Sequence, residues 1–295
     1  MSATNPENVS INQEDPRILL GNYNFTDAFF NLEETYIPPP VSDCYLTTAE
    51  QINRVLCDYT DLLLVGHINA RSVPKHLDEI SKLFQETNLD CIAVSETFIK
   101  AHTPKNLQKI PGFKFFKKNR CSKHGGGIGI FIRDTLADNA KIIKLPQTFS
   151  QPETLFIELS VKNVKLALGV MYKPPKIPYG VFATIQESLA YITTKYQHTI
   201  ICGDFNINYL QPESYPTSFF QLNVTEPFGL SQVIKEPTRI TSTTSTLIDL
   251  FLVNNIGNVK ISGVVDVPGI SDHCLIYMAY SIKKNKIHSK NFYTS

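Results

Sequence analysis

The sequence has no long hydrophobic run, although 42% of its 295 residues are hydrophobic. A membrane-spanning helix needs about 20 consecutive apolar residues, and no segment approaches that length. The amino-terminal segment is rich in Asn, Glu and Asp, so it also lacks the basic and then apolar pattern of a secretory signal peptide. We therefore expect a protein without a signal peptide or a transmembrane segment, located in the nucleus or the cytoplasm, with no membrane as partner.

The sequence also lacks paired cysteines, because its six cysteines are scattered and form no C-x-x-C motif. Several of them lie in apolar, strand-like surroundings, which favours reduced thiols in the core over zinc ligands or disulfides. The histidines are dispersed as well, so the sequence does not favour a metal cage of His and Cys. Any bound metal is therefore expected to be a hard cation with oxygen ligands.

An excess of charge of one sign is nearly absent, since the formal net charge is +1 at pH 7. The charges are unevenly distributed, because residues 1–60 hold nine acidic and two basic side chains. The remainder of the chain is therefore basic. A basic body suits a polyanionic substrate, although an excess of this size is permissive rather than diagnostic.

The length of the chain fits one main domain with flanking segments. Residues 1–60 are expected to form an acidic, partly disordered segment, because the first 40 are polar, without sustained periodicity, and bounded by three prolines. Residues 61–281 are expected to form the folded domain. Residues 282–295 are expected to form a basic tail.

Short apolar runs within the domain predict many strands and few helices. Strands are predicted near residues 61–69, 89–95, 113–116, 127–132, 141–145, 155–161, 164–172, 198–204, 230–234, 247–253, 259–265 and 274–280. Helices are predicted over residues 73–87 and 181–196, with another beginning near 218–222. Two mixed, mostly antiparallel sheets with helices on their outer faces would bury these runs, which predicts a four-layer α/β sandwich.

The most informative segment is an apolar strand that ends in Gly203-Asp204-Phe205-Asn206. Side chains two apart on a strand share a face, so a carboxylate and an amide lie together where a buried strand meets solvent. Such a site can activate water, although Gly-Asp-x-Asn is also an ordinary turn sequence. Other polar residues at predicted strand ends are Asn69, Glu96, Tyr172, Asp249, Asp272 and His273.

Most of these residues have a structural interpretation when taken singly. Asn69 can cap a turn, Glu96 can be an acid at a helix start, and Tyr172 can be a strand-end aromatic. Asp249 is different, because it interrupts an apolar strand where a carboxylate without a partner is unfavourable. Its natural partner is His273, whose tautomer it would fix and whose protonated form it would stabilise.

Together these residues form motifs that occur in a recognisable order. The motifs are His-Ile-Asn-Ala-Arg-Ser around Asn69, Ser95-Glu96-Thr97, Tyr172-Lys173-Pro174-Pro175, Gly203-Asp204-Phe205-Asn206, Ile248-Asp249 and Ser271-Asp272-His273. In this order the chain resembles the endonuclease/exonuclease/phosphatase superfamily over about residues 61–280. More narrowly, it resembles the apurinic-type endonuclease domain of non-LTR (LINE-type) retrotransposons. The resemblance implies a DNase I-like fold.

The resemblance also implies a metal site. Glu96 would be the principal Mg²⁺ ligand, with Asn69 and Asp272 nearby, and Mn²⁺ is a second candidate cation. This set agrees with the preference of Mg²⁺ for one or two carboxylates together with water and phosphate oxygens.

The remaining motif residues take catalytic roles by the same resemblance. Asp204 would orient or deprotonate the attacking water, and Asn206 would hold Asp204 and a phosphate oxygen. His273, supported by Asp249, would donate to the phosphate as negative charge grows. Tyr172 would lie near the leaving oxygen. Hydrolysis of a phosphodiester requires these parts.

Within this resemblance, Tyr172 favours the exonuclease III and retrotransposon branch of the superfamily, because phosphatases, sphingomyelinases and DNase I-like members commonly use a second histidine near this position. The expected substrate is duplex DNA, nicked on one strand to leave a 3′-hydroxyl. Three alternatives remain open: an abasic-site repair nuclease, a phosphatase of the same superfamily, and a non-catalytic DNA-binding remnant.

Basic residues near aromatic ones suggest where DNA binds. The candidates are Lys117, Lys118, Arg120, Lys123, Thr238 and Arg239. In the alternative interpretation, the neighbouring phenylalanines pack inward and the lysines are merely solvated. Full-length LINE-type elements place a reverse transcriptase after this domain, so we expect a truncated or separated copy without that partner, and a monomer.

Overall fold

Two β-sheets of six strands each form the centre of the structure, a computed structural model that describes residues 46–120, 125–146 and 151–284. The helices are α1 (Thr48–Leu56), α2 (Leu77–Glu86), α3 (Asp134–Ala137), α4 (Gln186–Lys195) and α5 (Tyr215–Phe220). The strands are β1 (Leu62–Asn69), β2 (Cys91–Ser95), β3 (Phe113–Lys118), β4 (Ile128–Arg133), β5 (Ala140–Ile142), β6 (Glu153–Val161), β7 (Val164–Tyr172), β8 (His198–Asp204), β9 (Ser231–Gln232), β10 (Arg239–Ile240), β11 (Ser245–Thr246), β12 (Asp249–Val253), β13 (Val259–Val265) and β14 (Leu275–Lys283).

The two sheets share one design. The first has the strand order β13-β14-β1-β2-β4-β3, and the second has the order β5-β6-β7-β8-β12-β9. Each contains one parallel pair at its centre, β1 with β2 and β7 with β8, and every other pairing within them is antiparallel. The strands β10 and β11 form a separate hairpin.

The alternation of side chains along β1 separates two apolar clusters. Leu63 and Val65 belong to the main core, which both sheets share, whereas Leu64 and Ile68 belong to a second cluster with α1 and α2. This follows from the two-residue period of a strand. On the other side, α4 packs against β8 of the second sheet. The layers are therefore helices, sheet, sheet and helices, and the predicted α/β sandwich is confirmed.

The helix α1 lies before residue 61, where the sequence analysis placed the start of the folded domain. The hydroxyl of Thr47 accepts a hydrogen bond from the backbone N–H of Glu50, whose carboxylate accepts one from the N–H of Thr47. Such a capping box stabilises the first turn of a helix. Ile52 and Leu56 of α1 are completely buried.

At the other end, β14 continues to Lys283, beyond the predicted limit of residue 281. The Nζ of Lys284 then lies 2.6 Å from Oδ2 of the buried Asp90. The predicted disorder of the first 40 residues and the tail from residue 285 lie outside the described residues. Among the helices that the structure describes, none has the length and apolarity that a membrane crossing requires.

Candidate active site

The register of the central strands brings the predicted polar residues to one edge of each sheet. In the first sheet, Asn69 at the end of β1 is paired with Ser95, the residue before Glu96. In the second sheet, Asp204 at the end of β8 is paired with both Tyr172 and Asp249. The carboxyl ends of parallel neighbours meet at the same edge, which explains how residues far apart in sequence become neighbours.

The amide of Asn69 connects the two sheets. Its Nδ2 donates to Oε1 of Glu96 at 3.1 Å and to Oδ2 of Asp204 at 3.0 Å. The hydroxyl of Tyr172 donates to the same Oε1 of Glu96 at 2.8 Å. Burial, and then the nearby charge of Glu96, raise the pKa of the Tyr172 phenol, so it remains protonated at neutral pH. Four of the predicted site residues are therefore in direct contact.

Asp249 and His273 form the pair that the sequence suggested. The Nδ1 of His273 lies 2.8 Å from Oδ2 of Asp249, and the hydroxyl of Thr238 donates to the same oxygen at 2.8 Å. Burial alone would lower the pKa of His273, but the charge and hydrogen bond of Asp249 outweigh it and raise this pKa to about 9. The imidazole is therefore protonated at neutral pH.

Asp204 lies between the Asn69 amide and this pair, and it is completely enclosed. Burial, and then the nearby charge of Asp249, raise the pKa of Asp204 above its usual range. Its Oδ1 accepts a hydrogen bond from the backbone N–H of Asn206 at 3.0 Å. The side chain of Asn206 is used differently from the expectation, because its Nδ2 donates to the carbonyl of Lys173 at 2.9 Å rather than to Asp204.

Asp204, Asp249 and His273 each offer one atom that can bind a metal ion, and these three atoms lie within 4.8 Å of one another. Asp272 has different partners. Its carboxylate accepts hydrogen bonds from Arg71 Nη1 at 2.6 Å and from Arg239 Nε at 2.9 Å. Burial alone would raise the pKa of Asp272, but the two guanidinium groups outweigh it and lower this pKa to about 2. Asp272 therefore organises two arginines, and these contacts differ from the predicted metal contact.

The turns that carry the site have an unusual backbone. Glu96, Asn206 and Arg71 have positive φ angles of 51°, 48° and 47°. Residues other than glycine seldom adopt this conformation, and it concentrates at functional sites. Gly203 has a φ of 154°, and a Cβ placed there would lie 1.8 Å from the carbonyl oxygen of Met171. Only glycine permits β8 to approach β7 this closely.

The predicted DNA-binding residues have mixed surroundings. Lys117 contacts Gln108, and Arg120 forms an ion pair with the buried Glu153. The Nζ of Lys118 donates to a backbone carbonyl at 3.4 Å. The ring of Phe115 stacks within the sheet on Phe131, with centroids 3.9 Å apart. The aromatic part of this strand therefore packs inward.

The other three candidates also differ from one another. Thr238 is completely buried, and its hydroxyl bonds to Asp249, so the structure places it in the interior rather than at a surface. Arg239 is partly exposed but is held by Asp272. Lys123 lies outside the described residues.

Sequence reasoning assigned no role to His67, which lies inside the first sheet next to the site. Its ring is completely buried, and its Nε2 is 2.7 Å from the hydroxyl of Ser95. Its Nδ1 lies 3.7 Å from Oδ1 of Asp249. Burial lowers the pKa of His67 to about 4, so the ring is neutral at pH 7. The sequence did contain one indication that His67 lies near the site, because residues 67 and 69 share a face of the strand.

The sequence profile of the Endonuclease/Exonuclease/phosphatase family matches residues 63–273, and the chain therefore belongs to this family. The match includes every site residue described above. No curated protein sequence matches the chain significantly.

Solved structures with the same fold include nucleases and a phosphatase. The endonuclease domain of TRAS1, a telomere-specific non-LTR retrotransposon, has a TM-score of 0.58 and 14% identity, covering 75% of this chain and all of that domain. An AP endonuclease from Archaeoglobus fulgidus has a TM-score of 0.58 and 13% identity, with coverage of 75% and 100%. A mannosyl-6-phosphatase from Bacteroides thetaiotaomicron has a TM-score of 0.54 and 16% identity, also with 75% and 100%. At these identities the likeness concerns the fold alone.

Proposed function

We propose that this protein is a divalent-metal-dependent endonuclease that hydrolyses a phosphodiester bond in one strand of duplex DNA and leaves a 3′-hydroxyl. The main support for this proposal is that the side-chain amide of Asn69 donates hydrogen bonds to the carboxylates of both Glu96 and Asp204, which belong to different sheets. The order of the motifs favours the endonuclease of a non-LTR retrotransposon, and the TRAS1 endonuclease domain is compatible with this because it has the same fold.

The donor atoms around Glu96 suit a hard cation. They are the carboxylate of Glu96 and the phenol oxygen of Tyr172, and the described residues place no thiol in contact with them. The amide of Asn69 turns its nitrogen, not its oxygen, to this carboxylate. Glu96 would hold Mg²⁺, and Mn²⁺ suits the same donor. Asn69 would join it through its side-chain oxygen after its amide has turned over, because that oxygen now accepts from the backbone N–H of Arg71. When bound, the cation would neutralise negative charge on the phosphoryl oxygens.

Asp204 suits the role of general base. Its raised pKa lies closer to neutral pH than that of a free carboxylate, and a general base is most effective when its pKa is near the working pH. Hydrogen bonds from Asn69 and from the backbone of Asn206 hold both of its oxygens in place. A water beside Asp204 would therefore be oriented and deprotonated for attack.

His273 suits the opposite task of donating a proton. Its Nδ1 is bound to Asp249, so Nε2 is the ring nitrogen that can reach a phosphate oxygen. As a protonated ring it supplies a positive charge where negative charge develops in the transition state. Asp249 keeps the ring oriented and protonated.

The test is nicking of supercoiled plasmid by the purified chain. We expect nicked circles with Mg²⁺ and none with EDTA. Glu96→Gln should lower the rate at least about 100-fold, because it removes a charge from the centre of the site. Glu213→Gln changes an exposed acid and is the matched control, with an unchanged rate expected.

Absence of nicking by a folded sample over a range of metal concentrations would contradict the proposal. A duplex oligonucleotide with one abasic site separates the related activities. Strong preference for that site would indicate a repair nuclease. Release of phosphate from a 3′-phosphorylated end without any internal cut would indicate a phosphatase.

A further inference from the structure

Two buried polar atoms beside the site face each other without a hydrogen-bond partner. They are Nδ1 of His67 and Oδ1 of Asp249, which lie 3.7 Å apart. Both side chains are completely buried. The separation exceeds that of a hydrogen bond, but it brings a ring nitrogen against a carboxylate in a dry interior. A buried polar group without a partner is rare in folded proteins and calls for a physical reason.

The tautomer of His67 supplies that reason. A neutral imidazole carries one N–H, and its other nitrogen presents a lone pair. If Nε2 held the proton, the lone pair of Nδ1 would face the carboxylate of Asp249, which is repulsive. If Nδ1 holds the proton, its N–H points toward Oδ1, and the hydroxyl of Ser95 donates to Nε2 at 2.7 Å. Only the second arrangement suits all three groups.

We propose that His67 is a positioning residue of this active site, which orients Asp249 through its Nδ1–H at Oδ1, the oxygen that His273 does not bind. The proposal rests on the function proposed above. Each oxygen of Asp249 then faces its own groups, because Oδ2 accepts hydrogen bonds from Thr238 and His273, while the N–H of His67 points at Oδ1 from 3.7 Å as an electrostatic contact. Groups that fix a carboxylate in this way also fix the histidine bound to it.

The contact between His67 and Asp249 also connects the part of the site on the first sheet with the part on the second. Ser95 ends β2 and is followed by Glu96, while His67 lies on β1 and Asp249 begins β12. A row of polar groups therefore runs from Ser95, next to Glu96, through His67 and Asp249 to His273. Its interior position keeps it away from DNA, so its effect is on orientation rather than on binding.

The first test is the tautomer itself, measured on the full chain without metal or DNA. Nitrogen-15 spectra of labelled histidines distinguish a ring nitrogen that bears a proton from one with a lone pair. We expect His67 to show a protonated Nδ1 and a lone pair on Nε2. Its signals are assigned by their absence from H67Q. A protonated Nε2 would overturn the proposal, and this result does not depend on activity.

The second test compares H67L with H67N in plasmid nicking, at a temperature where circular dichroism shows both to be folded. The leucine fills the space but has no N–H, so kcat should fall about 10- to 100-fold while KM for DNA changes less than about twofold. The asparagine amide places a donor at the position of Nδ1 and should recover about tenfold of the loss. A merely structural role predicts the reverse order, because leucine suits an apolar core better than asparagine.

A pair of hydroxyl deletions completes the design. S95A removes the donor to Nε2 and should both shift the His67 signals and lower kcat. S188A removes another buried hydroxyl, on α4, and should change neither. Equal behaviour of these two variants would overturn the proposal. If the wild-type chain does not nick DNA, the proposed function fails, while the nitrogen-15 spectrum still decides the His67 contact.

Discussion

The electrostatics of single residues explain why the site has two buried acids and one buried cation. Asp204 and Asp249 lie in the interior, where two negative charges repel each other and burial disfavours both. The protonated His273 close to both reduces this cost, because its attraction to Asp249 is stronger in a medium of low dielectric. Asp204, Asp249 and His273 therefore suit the proposed mechanism, which needs a general base and a proton donor side by side at neutral pH.

This arrangement predicts that stability depends on pH through His273. Its pKa is 6.5 as a free group and about 9 in the folded protein, so the folded state binds the proton more tightly. The stabilisation is complete below about pH 6.5 and is lost as the pH rises toward 9. Urea unfolding should show the wild type losing up to about 3 kcal/mol more than H273N between pH 6 and pH 9. Parallel pH profiles for the two proteins would contradict this.

The sequence suggested the pairing of Asp249 with His273 for a general reason, namely that a carboxylate within an apolar strand needs a partner. The surroundings of Asp272 could not be inferred in this way. Its partners lie in distant parts of the chain, Arg71 after β1 and Arg239 in β10, and only the tertiary fold brings them to it. Solvent-exposed pairing of this kind has no local sequence signal.

At the level of elements, the backbone after each central strand determines where the proposed catalytic groups point. The positive φ of Glu96 and of Asn206 turns the chain sharply after β2 and β8. Gly203 permits the close approach of β8 to β7, directly before Asp204. The apolar strands therefore end in turns that their neighbours tightly constrain.

The variant G203A tests this constraint. The added Cβ would lie 1.8 Å from the Met171 carbonyl oxygen, so β8 must shift. We expect the free energy of unfolding in urea to fall by about 3 kcal/mol, with loss of nicking even at temperatures where the variant is folded. G180A is the matched control, because nothing lies within 4 Å of a Cβ at that position. Similar stability of the two variants would contradict the argument.

The apolar runs of the sequence predicted the bounds of most strands to within a few residues, and β7 and β13 match their predicted bounds. The predicted helix over residues 73–87 begins later, at Leu77, because residues 73–76 form turns in which the N–H of Val73 bonds to the carbonyl of Thr97. The helix α1 was missed, although Thr47 and Glu50 form a capping-box sequence. A helix of nine residues contains too few turns for its apolar pattern to stand out.

For the molecule as a whole, the site depends on both sheets holding their relative position. Asn69 comes from the first sheet, whereas Asp204, Asp249 and Tyr172 come from the second. The main core contains side chains of both sheets, so it fixes their separation. Mutations that loosen the core should therefore reduce activity without touching a catalytic group.

The folded unit also extends beyond the residues that match the family, 63–273, because α1 covers the outer face of the first sheet. Leu56 is completely buried there, whereas its neighbour Val55 is 38% exposed. If α1 is part of the cooperative unit, a cavity at Leu56 weakens the whole domain rather than the helix alone.

The pair L56A and V55A tests this directly. We expect L56A to lower the free energy of global unfolding by about 2 to 5 kcal/mol, and V55A by less than about 1 kcal/mol. Nicking by folded L56A should remain near the wild-type rate at low temperature, because α1 contributes no group to the site. An unchanged unfolding midpoint for L56A would show instead that the helix folds and unfolds independently of the two sheets.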